Sequence, residues 1–385
     1  MRYNFMAIGA QKRDSSAEVS VAESIEHQLN HRTPGRRILA LDALRGLAAL
    51  SVVFIHFRAA FNELAQPHWY LLPIIGGNPV GLFFVLSGYV LSIPFWLGRQ
   101  PSYPAFLVRR FFRIYVPYAG AVLIALLAAS RLLYSHLPLT PWFYRTWQSP
   151  LTCGLISSQL LTISTTPKIN AAFWSLRYEM EMSLVFPAVC WALARMRLWG
   201  AVVATIVIQK AGYMLYNHPE HPVWQEFGAA LAYGSYFLYG AIIAWKGESI
   251  AELYHKAPRW LKYVILGLVI VGYFGSKEGK FVPLACCGII ILALHSRVSR
   301  LLDTAVPEYL GRISYSMYLL HATVLWATAI LLYGKIPLVA LGLVYGAATL
   351  VISHLSCVFI EEPAMRFGKQ VTGKKPGSLQ RFRWL

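Results

Sequence analysis

The sequence is poor in charge. Only 14% of its 385 residues are charged, against about 25% in a typical soluble domain, while 57% are hydrophobic. Apolar surface on this scale exceeds what a single aqueous core can bury, so most of the chain requires lipid as its solvent. The composition therefore excludes an ordinary soluble enzyme and predicts a polytopic integral membrane protein.

Cysteines and acidic residues are also scarce. The five cysteines are an odd number with no metal-ligand spacing, so we expect neither a disulfide framework nor a metal site. Against 35 Lys and Arg stand only 17 Asp and Glu, which gives a net charge of +18. No nucleic-acid-binding motif accompanies this charge, and membrane proteins keep cytoplasmic loops basic, so we expect no nucleic-acid partner.

Long apolar runs begin at residue 38 and continue almost to the end of the chain. They predict an all-α fold of about ten transmembrane helices, with the seventh and eighth short enough to form a re-entrant hairpin instead. The runs lie at about 38–61, 79–97, 114–133, 174–194, 198–216, 227–245, 260–274, 281–295, 313–333 and 336–360.

The distribution of Lys and Arg predicts that both termini are cytoplasmic. With this orientation, 25 of the 35 basic residues lie on the cytoplasmic side and 6 on the other. We interpret residues 1–37 as a disordered cytoplasmic tail, 38–365 as the transmembrane domain and 366–385 as a basic cytoplasmic tail. The longest outer connection, about 134–173, is aromatic and suits a lid; its Trp142, Tyr144 and Trp147 belong either to an interfacial belt or to a sugar-binding surface.

The first span contains three ionisable residues, each of which costs roughly 2.5 kcal/mol or more in a membrane and is a functional candidate. Asp42 and Arg45 are three residues apart and can pair. Arg45 and His56 are eleven apart, which places them on nearly the same helix face about 16 Å from each other. A snorkelling arginine and a core histidine are the alternative explanations; the alignment on one face favours a functional pair.

The fourth span carries Glu179 and Glu181 with Arg177 nearby. Glu179 shares a helix face with Ser183, whereas Glu181 points to the opposite side. If Glu179 lies near His56, the two form an acid–base pair.

A basic run, VRRFFRIYVPY, precedes the third span and holds Arg109, Arg110 and Arg113. Topology alone explains such a cluster, but three guanidinium groups also suit a phosphate clamp. In the second span, Ser87 and Gly88 are explained by close helix packing, because no GxSxG pattern supports a serine nucleophile.

Taken together, these segments resemble the acyltransferase-3 family of integral membrane O-acyltransferases over about residues 38–365. The similar segments are LDALRGLAALSVVFIH, with the Arg, ten residues, His pattern at Arg45 and His56; FFVLSGYVL; RRFFRIYVP; FWSLRYEMEMSLVFP, with Glu179; and YLGRISYSMYLLH, with His321. In the fourth segment the residues after Glu179 depart from the pattern of many relatives.

The resemblance implies transfer of an acyl group, usually acetyl, from cytoplasmic acyl-CoA to a hydroxyl of a cell-surface or exported carbohydrate, lipid-linked or not. It implies a multi-pass protein of the cell inner membrane, surrounded by membrane lipids and with no permanently bound cofactor. His56 would act as general base or transient acyl carrier with Glu179 orienting it, while Arg45, Arg109, Arg110 and Arg113 would bind acyl-CoA. The alternative is a secondary transporter with His56 and Glu179 in a proton relay, although no internal repeat supports it.

Overall fold

The computed structural model describes residues 34–64, 78–132, 137–146, 152–161, 168–218, 220–275, 281–296 and 298–373. Within these ranges every regular element is helical. Most of both predicted terminal tails, and Trp147 of the outer connection, lie outside the described residues.

The helices are, in chain order, α1 (Pro34–Ala60), α2 (Pro79–Trp96), α3 (Tyr103–Arg131), α4 (Pro141–Tyr144), α5 (Cys153–Leu160), α6 (Trp174–Arg195), α7 (Leu198–Tyr216), α8 (Pro222–Trp245), α9 (Gly247–Lys256), α10 (Arg259–Ile270), α11 (Val282–His295), α12 (Val298–Leu302), α13 (Ala305–Leu332) and α14 (Leu338–Val371). Short 3₁₀ and π-helical turns follow α1 and α10, respectively. π-helical turns also interrupt α3 at Phe111–Tyr115 and α14 at Cys357–Glu361.

Seven of the described helices are long and apolar enough to cross a membrane: α1, α2, α3, α7, α8, α13 and α14. The fourth predicted span is a helix of 22 residues, α6, but its first turns carry three charged side chains. The seventh and eighth predicted spans are helices of 12 and 14 residues, too short to cross a bilayer upright. The all-helical prediction is confirmed, and seven of the ten predicted spans meet this criterion of length and composition.

Several helices extend beyond the apolar runs that predicted them. α3 starts at Tyr103 instead of about 114, α13 starts at Ala305 instead of about 313, and α14 ends at Val371 instead of about 360. The added turns mix apolar with charged residues, so hydropathy does not detect them, and ion pairs stabilise them. Arg312 of α13 donates to the Glu362 carboxylate of α14 through Nε and Nη2, at 2.9 and 2.7 Å.

Helix α13 lies at the centre of the bundle, since 72% of its most apolar window is buried by protein. In α7 and α14 the corresponding share is 22%. The outer face of α7 exposes Val203, Val207 and Met214, as expected for side chains that contact lipid.

Glycines allow two pairs of helices to pack with their backbones in contact. A Cβ atom on Gly46 of α1 would overlap the backbone of Leu310 and Gly311 of α13, and one on Gly88 of α2 would overlap the Phe237 carbonyl of α8. The close-packing interpretation of Gly88 is thus confirmed. The α1–α13 contact matters most for the site, because both helices carry its principal residues.

Candidate active site

His56 and His321 form a hydrogen-bonded pair between α1 and α13. The distance from His56 Nδ1 to His321 Nε2 is 2.8 Å, and His321 Nδ1 lies 3.1 Å from the Met317 carbonyl oxygen. The His321 side chain is fully buried, and His56 is half-buried. His56 therefore faces the protein interior and contacts a second titratable side chain.

Equal spacing on two parallel helices brings the histidines together. Gly46 contacts Gly311 where α1 and α13 pack backbone to backbone, and ten residues further along each helix His56 meets His321. Contacts at both points show that the helices run in the same direction and stay together over about 15 Å. The glycine contact thus sets the register that aligns the two imidazoles.

The outer connection covers the histidine pair. Residues 137–146 dock on the carboxyl end of α1, where Thr140 Oγ1 donates to the Ala59 carbonyl oxygen at 2.5 Å and Asn62 Nδ2 donates to that of Pro138 at 3.0 Å. Trp142 lies over His56, with their ring centroids 4.9 Å apart. Tyr144 Oη donates to the Leu137 carbonyl oxygen within the same segment, at 2.5 Å. Residues 137–146, one described part of the predicted lid, are thus packed against the site.

A cavity of about 730 Å³, including the open space at its mouth, lies on the Arg45 side of the histidine pair. We call it the arginine cavity. Its charged lining comprises Asp42, Arg45, Arg113, Glu179, Arg312 and Glu361. The predicted pairing of Asp42 with Arg45 is confirmed at 3.8 Å, and Asp42 Oδ2 is buried without a hydrogen-bond partner among the described residues.

Glu179 lies in the arginine cavity and is bonded to Arg110. Arg110 Nη2 donates to Glu179 Oε1 at 3.1 Å, and Arg110 Nε donates to Ser183 Oγ at 3.0 Å. The shared face of Glu179 and Ser183 is as predicted. The structure does not bring Glu179 to His56, however: it gives His56 the partner His321.

The chain before α6 explains the position of Glu179. Asn170 is fully buried and donates to the Leu319 carbonyl oxygen at 2.9 Å and to Thr323 Oγ1 at 3.0 Å, at the level of His321 on α13. Helix α6 therefore begins beside the middle of α13, and Glu179 lies deeper, on the Arg45 side. The inward fold of residues 168–173 thus places the first turns of α6, and with them Glu179, inside the bundle.

The three arginines of the basic run point in three directions. Arg109 Nε donates to Thr372 Oγ1 at 2.8 Å, Arg110 is buried against Glu179, and Arg113 lines the arginine cavity. The π-helical turn at Phe111–Tyr115 widens the helix between Arg110 and Arg113, a distortion that is frequent at functional sites. The structure thus brings Arg113 and Arg45 to one cavity, while Arg109 and Arg110 bond elsewhere.

Glu361 is a site residue that the sequence analysis missed. It is buried, lines the arginine cavity, and accepts a hydrogen bond from Ser316 Oγ at 2.7 Å. Like Arg113, it belongs to a π-helical turn. The run Glu361-Glu362-Pro363 directly follows the predicted apolar run 336–360, so hydropathy places Glu361 outside the span and gives no signal of its role.

Tyr318 and Phe83 line the arginine cavity on the side of the histidine pair. Their ring centroids are 5.4 Å apart, and Tyr318 lies one turn from His321 with ring centroids 5.9 Å apart. His56 does not line the cavity.

The site combines a histidine pair, a cavity rich in arginine and a cover of aromatic residues. A family model described as an acyltransferase domain, acyltransferase-3, matches residues 38–358. The chain belongs to the acyltransferase-3 family. Neither the curated proteins nor the solved structures yield a significant match to it. The chain is therefore an acyltransferase and, with its apolar helices, a multi-pass membrane protein.

Within the part of this acyltransferase that the structure describes, no three His, Cys, Asp or Glu side chains are grouped to hold a metal ion. The histidine pair has the geometry of a base and its orienting partner, which is an arrangement suited to acyl transfer.

Proposed function

We propose that the acyltransferase moves an acyl group, acetyl by preference, from cytoplasmic acyl-CoA to a hydroxyl of a cell-surface or exported carbohydrate. The observation that carries this proposal is the hydrogen bond between His56 and His321, because its polarity prepares one nitrogen of His56 to accept a proton.

The polarity follows from the Met317 carbonyl. A carbonyl oxygen only accepts hydrogen bonds, so His321 Nδ1 carries a proton, and in the neutral ring Nε2 is then an acceptor. His56 Nδ1–H donates to that acceptor, which leaves the lone pair on His56 Nε2. None of the described residues hydrogen-bonds this nitrogen. His321 therefore has the orienting role that was expected of Glu179.

In the proposed reaction, His56 Nε2 takes the proton of the acceptor hydroxyl while its oxygen attacks the thioester carbonyl carbon. The carbon–sulfur bond then breaks, and the CoA sulfur leaves with the proton from His56. The acceptor gains an ester and the imidazole returns to its neutral form. The same nitrogen would attack the thioester if His56 were a transient acyl carrier.

The arginine cavity is the proposed donor site. Arg45 and Arg113 supply guanidinium groups for the CoA phosphates, whereas Arg110 positions Glu179 and Arg109 remains outside the cavity. Asp42 Oδ2 has no hydrogen-bond partner among the described residues, and a buried carboxylate oxygen needs a donor. The pantetheine arm of CoA has two amide N–H groups, and either can be that donor.

The acceptor approaches from the side of Trp142. An indole ring beside His56 offers a flat apolar surface to a sugar ring, so the hydroxyl to be acylated can lie near the imidazole. This arrangement requires the carboxyl end of α1 to face the outside of the inner membrane, with both termini in the cytoplasm and α6, α10 and α11 completing about ten membrane segments.

Replacement of His56 tests the function. With acetyl-CoA as donor and octyl β-glucoside as acceptor probe, His56→Ala should abolish acyl transfer by the purified, folded protein. Activity within a few-fold of wild type would show that His56 is not the base. Incubation with labelled acetyl-CoA but no acceptor separates the two roles of His56, since a stoichiometric burst contradicts transfer in a single step.

A further inference from the structure

The inner end of the arginine cavity is formed by two hydroxyl groups that the reaction above does not use. Tyr318 and Ser175 both line the cavity, and both are buried, at 6% and 4% exposure. Tyr318 Oη lies 2.7 Å from Ser175 Oγ. On the other side of Tyr318 is His321, the partner of His56. The hydroxyl pair thus lines the donor cavity on the side of the histidine pair.

The hydrogen bonds of this pair allow the Tyr318 hydroxyl proton to point into the cavity. Either hydroxyl can be the donor in the Tyr318–Ser175 bond, and the other contact of Ser175 Oγ, to the Ala172 carbonyl oxygen, is 3.5 Å long. A bond of 3.5 Å is weak. Ser175 can therefore turn to donate to Tyr318 at little cost, and the Tyr318 proton is then free to point into the cavity.

We propose that the Tyr318 hydroxyl donates a hydrogen bond to the thioester oxygen as negative charge develops on it, with Ser175 donating in turn to Tyr318. This inference rests on the proposed function. As the acceptor oxygen bonds to the carbonyl carbon and His56 takes its proton, the carbonyl π electrons move to the oxygen that Tyr318 faces. When those electrons restore the double bond, the carbon–sulfur bond breaks and the thiolate takes the proton from His56.

The chain of two hydroxyls has a physical advantage over a single donor. A hydroxyl that itself accepts a hydrogen bond becomes a stronger donor, and burial strengthens its interaction with an oxyanion. Phe83 packs edge-on against the Tyr318 ring at 5.4 Å and holds the ring in place. Tyr318 is accordingly a catalytic residue and Ser175 a positioning residue.

Tyr318→Phe tests the inference, because it removes the hydroxyl and keeps the ring. Release of the CoA thiol from acetyl-CoA is measured with octyl β-glucoside as acceptor and, separately, with water alone, since both reactions pass through the same oxyanion. We expect kcat to fall by about 10²–10³-fold, as for loss of an oxyanion donor, with KM for acetyl-CoA changed less than threefold. Ser175→Ala should lower kcat about tenfold.

Tyr345→Phe is the matched control. Tyr345 is also a buried tyrosine of the bundle; its hydroxyl donates to the Val53 carbonyl oxygen of α1 at 3.3 Å, and it does not line the arginine cavity. Its loss should leave kcat within threefold of wild type. If Tyr318 serves only as part of the cavity wall, Tyr318→Phe retains wild-type kcat and the inference is wrong.

A sulfur analogue of the donor distinguishes chemistry from folding. In the dithioester analogue of acetyl-CoA the carbonyl oxygen is replaced by sulfur, a weak hydrogen-bond acceptor. The ratio of wild-type to Tyr318→Phe kcat should shrink at least tenfold with this donor, and the Ser175→Ala ratio should shrink as well. Equal ratios for the two donors would mean that the substitutions act through structure, which overturns the inference.

The outcome for His56→Ala separates this inference from the proposed function. An inactive His56→Ala together with a fully active Tyr318→Phe contradicts the oxyanion role alone. An active His56→Ala contradicts the proposed role of His56 as the base, whatever Tyr318→Phe shows.

Discussion

Replacement of His321 tests how the histidine pair works. In the proposed mechanism, His321 Nε2 accepts the hydrogen bond that His56 Nδ1–H donates over 2.8 Å, and this bond remains when His56 becomes positively charged. A hydrogen bond to a charged group contributes about 1.5–3 kcal/mol. Since 1.36 kcal/mol corresponds to a factor of ten in rate, His321→Met should lower kcat by about 10- to 150-fold.

His321→Gln should behave differently, because the Gln amide oxygen can accept a hydrogen bond from His56 Nδ1–H. We expect this variant to keep kcat within about fivefold of wild type. His354→Gln is the control: His354 also faces a neighbouring helix, with Nδ1 3.3 Å from Tyr309 Oη, but it lies outside the site and its replacement should have no effect.

The assay is thiol release from acetyl-CoA by protein purified in detergent, with thermal unfolding recorded for each variant. Equal loss of kcat in the Met and Gln variants would refute the tautomer argument, since acceptor chemistry would then not matter. Wild-type kcat in His321→Met would show that His56 needs no orienting partner.

Three further predictions concern packing, donor binding and the buried ion pair. Gly311→Val should lower the free energy of unfolding by at least about 1–3 kcal/mol and lower kcat, since the valine side chain would overlap the α1 backbone. Gly346 has open space around it, so Gly346→Ala should be neutral or stabilising when thermal unfolding is measured. Arg113→Gln should raise KM about tenfold for acetyl-CoA but not for acetyl-pantetheine, which lacks the nucleotide; equal effects would contradict phosphate binding. Glu179→Gln should destabilise the protein by about 3–5 kcal/mol, because it leaves the buried Arg110 guanidinium without a counter-charge; normal stability with a loss of kcat alone would instead favour contact between Glu179 and His56.

The candidate residues were accessible from the sequence because a charge in an apolar run is costly. Arg45, His56 and Glu179 each stood out for this reason, and Asp42 was correctly paired with Arg45 because helix geometry fixes neighbours three residues apart. Local periodicity alone settles such contacts.

Partners on different helices were beyond this reasoning. Arg110 lies one residue from Arg109 and three from Arg113, which suit a phosphate clamp equally well, and only the packing of α3 against α6 turns it onto Glu179. The partner of His56 was also missed, although the equal ten-residue spacing from Gly46 to His56 and from Gly311 to His321 was available in the sequence. That spacing is informative only once the two helices are known to be parallel and in contact at their glycines.

The sequence by itself determined that the chain is a helical membrane protein with charged residues inside apolar segments. It could do so because hydropathy and helical periodicity are local properties. The tertiary structure alone decided which charges neutralise each other, which imidazole meets which, and where a cavity ends. Those outcomes depend on how the helices cross and in which register they pack. Backbone contacts between small residues set that register, and they bring together His56 and His321, which are 265 residues apart in the sequence.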